Sequence, residues 1–94
     1  MRYPTVHLNG TSGDELVRQL QEAWVAVKHA MDALTLTMPN GRDYYVQEAD
    51  SMSNAMAEYR KRYALLETVQ DELTEIWEAV QDQIDKRKPL RQVQ

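Results

Sequence analysis

A chain of 94 residues makes one domain, and at this size folding hides only roughly 60 to 65% of the surface that the unfolded chain exposes. Hydrophobic residues at 43% exclude intrinsic disorder, and the absence of cysteine excludes disulfides and thiolate metal sites. The net charge of -4 argues against general nucleic-acid binding, which neutralises phosphates with clustered lysine and arginine.

No run approaches the ~20 apolar residues of a membrane span, and the N-terminus lacks the apolar core of a signal peptide. A cytosolic protein without a membrane partner is expected. Residues 1–10 read as an extended arm, with Val6 and Leu8 alternating against Thr5, His7 and Asn9 and Pro4 keeping Tyr3 out of helical geometry. Gly10-Thr11-Ser12-Gly13-Asp14-Glu15 is a helix start with two capping options, of which Ser12 with Glu15 is the better capping box.

A first helix is expected over 12–37. Leu16, Leu20, Trp24, Val27, Met31 and Leu34 recur at steps of three and four on one stripe, widened by Val17, Ala23, Ala30 and Leu36. Pro39 ends it, and Asn40-Gly41 opens a loop over 38–49 as a turn dipeptide tolerant of positive φ. A second helix is expected over 50–87, capped by Asp50 or Ser51. Its stripe runs Met52, Met56, Tyr59, Tyr63, Leu66, Val69, Leu73, Ile76, Val80 and Ile84, with Trp77 beside it. Residues 88–94 form a basic tail.

The expected fold is all-α: an antiparallel helical hairpin with a short extended arm, assembling as a homo-oligomeric helical bundle. The reason for assembly is length, since the helices span about 36 and about 55 Å at ~1.5 Å per residue. Packed from the turn, the end of the second helix, with Ile76, Trp77, Val80 and Ile84, has no cover except the arm. A copy of the chain would cover it.

Four constellations could carry chemistry. His7, Asn9, Gly10, Thr11 and Ser12 form a box at a helix N-terminus, where unpaired N–H groups and small residues admit an anion; plain capping is the other reading. Arg42, Tyr44 and Tyr45 put a planar cation beside two aromatics in a loop, suited to a phosphate and a ring. The alternative there is a simple turn, with one tyrosine folded onto the hairpin end and Arg42 paired to Asp43. Glu67, Asp71, Glu72, Glu75 and Glu78 give several carboxylates on one helix face, as magnesium-dependent nucleotide hydrolases use, but the candidate partners Asp14, Glu15 and Glu22 fall outside the first helix's apolar stripe, so a solvated acidic face explains them better. Arg60, Lys61 and Arg62 sit between Tyr59 and Tyr63, which fit the core stripe, so the triplet reads as a solvated charged flank. If those tyrosines are only partly buried, they join the Arg42 loop in a positive, aromatic-lined surface.

His7-Leu8-Asn9-Gly10-Thr11-Ser12 and Pro39-Asn40-Gly41-Arg42-Asp43-Tyr44-Tyr45, in that order around a helix, resemble a group of small bacteriophage proteins over the first half of the chain. In size and helical-hairpin form the chain is similar to phage sponges that sequester cyclic nucleotide signals of CBASS or Thoeris defence. The resemblance implies a phage anti-defence protein of the host cytoplasm, without catalysis or cofactor, that holds a small anionic nucleotide-like ligand. The alternative is a virion structural or assembly protein, or an adaptor working through helix contacts. Box and loop lie at opposite ends of a ~36 Å helix. They meet only if residues 39–50 fold back, which ~40 Å of extended chain permits, or if one protomer's loop reaches a neighbour's box.

Overall fold

The structure is a computed structural model and describes residues 1–87. The elements are α1 (Gly13–Thr35), a short 3₁₀ turn (Gly41–Asp43) and α2 (Ser51–Arg87), with no strand among the described residues. Among these residues no helix is long and apolar enough to cross a membrane. The chain divides into two compact units, Met1–Val25 with the residues from Asp71 onward, and Ala26–Gln70. We call them the terminal unit and the loop unit. The basic tail expected at 88–94 lies outside the described residues.

In the terminal unit the arm is tied down by one side chain. The Gln83 amide accepts from the Val6 N–H and donates to the Pro4 carbonyl, both at 2.8 Å. It thus engages the backbone on both sides of Thr5, as a neighbouring strand would. The Glu75 carboxylate faces the Tyr3 phenol and holds it above its ordinary pKa, chiefly through hydrogen bonding to the neutral hydroxyl. Val6 is buried as a result, and Val80 beneath is fully enclosed.

The arm ends in a turn, Gly10 N–H to His7 C=O at 3.1 Å, and Ser12 then caps α1 by accepting the Glu15 N–H at 3.2 Å. Only half of the expected capping box forms, because the Glu15 carboxylate is taken by Arg18 and Gln19. Gly13 is buried where α1 begins, and a Cβ placed on it would lie 2.6 Å from Ile84 Cγ1 and 2.9 Å from Cδ1. The start of α1 therefore sits directly on the end of α2.

This corrects the expected overhang. Ile76, Trp77 and Ile84 are half-buried and Val80 is completely so, because α1 starts opposite Ile84 and the arm fills in beside it.

The loop unit is a helix–loop–helix whose buried side chains are Met31 and Tyr59. Here α1 ends at Thr35, two residues before the expected limit. The Leu36, Thr37 and Met38 amides bond three residues back, and the Thr37 hydroxyl donates to the Leu34 carbonyl, so the last turn tightens well ahead of Pro39. Asn40 caps the 3₁₀ turn by accepting the Arg42 N–H at 3.0 Å. No glycine has positive φ, so Gly41 serves as the first residue of this turn and uses no left-handed freedom. Asp50 occupies the N-cap of α2, its carbonyl accepting the Asn54 N–H at 3.0 Å.

The α1 stripe from Leu16 to Leu34 faces inward as expected, while Ala30 and Leu36 face out. On α2 the row shifts at two positions, from Val69 to Gln70 and from Ile76 to Trp77, although Ile76 stays half-buried. The inward residues run 59, 63, 66, 70, 73, 77, 80 and 84, a strict alternation of four and three, which sets Gln70 inside and leaves Val69 43% exposed.

A test of the loop follows from Gly41, around which a Cβ meets nothing within 4 Å. Gly41→Ala is expected to raise stability by about 0.4–1 kcal/mol, because it removes unfolded-state freedom at no folded-state cost. Urea denaturation of the two proteins checks this, and a loss of stability would contradict the turn described.

Candidate functional site

The residues singled out from sequence fall into two groups in different units. His7, Asn9, Gly10, Thr11 and Ser12 are all exposed in the terminal unit. The His7 ring lies over Gly10 so closely that a Cβ there would be 2.8 Å from Nε2. Gly10 is thus fixed by the imidazole and by the turn, and the Ser12 hydroxyl is occupied by capping.

Arg42, Tyr44 and Tyr45 are in the loop unit. Arg42 folds back on Asn40, its Nε donating to Oδ1 at 3.4 Å, in place of the alternative pairing with Asp43. Tyr44 is half-buried, whereas Tyr45 and Val46 are 79% and 76% exposed. A cation with no carboxylate partner among the described residues and an outward phenol therefore share one short loop.

The same unit contains a groove of about 390 Å³ lined by Thr35, Met38, Tyr59, Arg60, Tyr63 and Glu67. Its α2 wall follows from helical spacing, since 59, 63 and 67 are successive turns of one face and Arg60 is next to them. The Tyr59 and Tyr63 rings stand 6.4 Å apart and tilted by 36°, a favourable aromatic pair that fixes the groove floor. Tyr59 is buried, as its place on the core stripe requires, and Tyr63 is half-buried. Nearby on α1, Lys28 is bonded to Asp32 at 2.7 Å, which raises its pKa, with a smaller contribution from Tyr63.

The groove offers a guanidinium at one rim, a carboxylate at another, a threonine hydroxyl and an aromatic and methionine floor. Such a surface suits a ring carrying an anionic group, and the volume is toward the lower end of small-molecule pockets. Met38 and Thr35 were invisible as site residues in the sequence, because nothing in their spacing marks them as facing Tyr63. Among the described residues no three histidine or carboxylate side chains converge to hold a metal ion, so the acids of α2 are strung along the helix as a solvated row. No protein-family model, no curated protein and no solved structure matches the chain.

Proposed function

We propose that the protein is a bacteriophage-encoded binding protein that sequesters a nucleotide-derived immune signal in the host cytoplasm, without chemistry. The observation that carries this reading is the tyrosine groove of the loop unit, with Arg60 at its rim and the uncompensated Arg42 in the same unit. A base stacks on Tyr63, phosphate oxygens meet the guanidinium, and Glu67 accepts from a sugar hydroxyl or ring amine. Self-association belongs to the same reading. Leu36, Tyr45, Val46 and Leu65 are large, apolar and exposed in a unit whose acids and bases nearly balance, six against five. In the assembly, the Arg42, Tyr44 and Tyr45 loop of one protomer closes on the His7 to Ser12 box of the next.

A panel of cyclic dinucleotides and cyclic ADP-ribose isomers tests this by thermal shift. At least one is expected to raise the melting temperature, as any ligand of the folded state must. The shift is lost in Arg60→Ala and kept in Glu48→Gln, and native mass spectrometry shows the complex as an oligomer. A flat response to the whole panel rejects the reading. The second reading, an assembly or adaptor protein acting through helix contacts, draws support from the terminal unit, where Trp24 and Trp77 are only half-buried.

A further inference from the structure

The terminal unit carries two open depressions that share one wall. One, of about 470 Å³, is lined by Gln21, Trp24, Val25 and Trp77. The other, of about 350 Å³, is lined by Thr74, Trp77, Glu78 and Gln81. Trp77 is therefore a ridge between two mostly apolar furrows, and tryptophan is the side chain that most often anchors protein interfaces. Furrows on both sides of a ridge match the rows of side chains on a helix.

Charge selects the occupant. Between Asp71 and Asp85 α2 carries six carboxylates and no cation. Asp71, Glu78 and Asp85 recur every seven residues, which places them in one line along the side of α2 where Thr74, Trp77 and Gln81 form the furrow, and all three are exposed. On α1 the cations that flank Trp24 in sequence are neutralised, Arg18 by Glu15 and Glu22 and Lys28 by Asp32. A second copy docked on this face would bring two such acidic rows together, which opposes self-association here.

We propose that the Trp24–Trp77 face is a docking surface for a basic amphipathic helix of another protein, its apolar stripe over Trp77 and its lysines or arginines along the Asp71, Glu78, Asp85 line. The surface is in the terminal unit and does not depend on the ligand reading of the loop unit.

The test uses the full chain and two synthetic helices without tryptophan: a leucine–lysine heptad peptide and its leucine–glutamate twin. The protein's two tryptophans are the reporters. The basic peptide is expected to give a saturable blue shift of tryptophan emission that weakens as salt is raised, and the acidic twin none. Glu78→Lys lowers the affinity by about fivefold, the upper range for an exposed pair, while Glu48→Lys in the loop unit leaves it unchanged. Because Glu78 is exposed, that variant folds. Equal binding of both peptides, binding of neither, equal effects of the two substitutions, or a blue shift on concentrating the protein alone would each overturn the proposal, the last by making a second copy the occupant.

Discussion

Gly13→Val is expected to lower the stability of the protein by about 1–3 kcal/mol, the usual cost of forcing extra methyl groups into a packed contact. The reason is distance: the added Cβ alone would sit 2.6 Å from Ile84 Cγ1, and Val6 Cγ1 closes the other side at 3.5 Å. Isoleucine is branched at Cβ and stiff at χ1, so Cγ1 cannot swing away without moving α2. For a domain of this size, thermal melting would register each kcal/mol as roughly 4–8 °C. The diagnostic is the pair. Ile84→Ala also destabilises, by loss of buried methylenes, but the double variant is expected to be more stable than the sum of the two, because the alanine vacates the space that the valine needs. Strict additivity would mean that the two helices do not meet at this point.

Gly13 also shows where sequence reading stops. Gly10-Thr11-Ser12-Gly13 announces a helix start, and Ser12 does cap α1. Nothing in the local pattern tells that Gly13 is kept small by a residue 71 positions away. Helices, breaks and caps follow from propensity and period, which are local, and these were legible to within two residues. The register of α1 on α2 is not local. Counting from the turn put an uncovered length at the end of α2, whereas Gly13 lies against Ile84 there.

The substitution of Gln70 for Val69 in the inward row has the same character. Hydrophobicity favoured 69, but the alternation of three and four from Tyr59 to Ile84 passes through 70. Period outranked polarity. Of the candidate site, Arg42 and Tyr45 were readable as an exposed cation and phenol, while the groove required Thr35 and Met38, which only the packing of α1 on Tyr63 brings in.

In the loop unit the strongest effect belongs to Tyr59. Its ring is one of two buried side chains there, 5% exposed, so Tyr59→Ala is expected to cost about 3–5 kcal/mol, as truncation of a buried aromatic does. Against a total of roughly 5–15 kcal/mol for a small domain, that is enough to leave the protein partly unfolded at moderate temperature. Tyr59→Phe separates packing from chemistry. Among the described residues the hydroxyl has no hydrogen-bond partner, so the phenylalanine variant should melt within about 0.5 kcal/mol of the parent. Tyr63→Ala lies between them, because the ring is only half-buried, and it removes the surface on which a ligand ring would stack. The expected order of stability is therefore parent and Tyr59→Phe, then Tyr63→Ala, then Tyr59→Ala, read by urea denaturation. The order of ligand response differs, with Tyr59→Phe retaining the thermal shift and Tyr63→Ala losing it while still folded. A Tyr63→Ala protein that folds and keeps the full shift would take the groove out of the binding reaction.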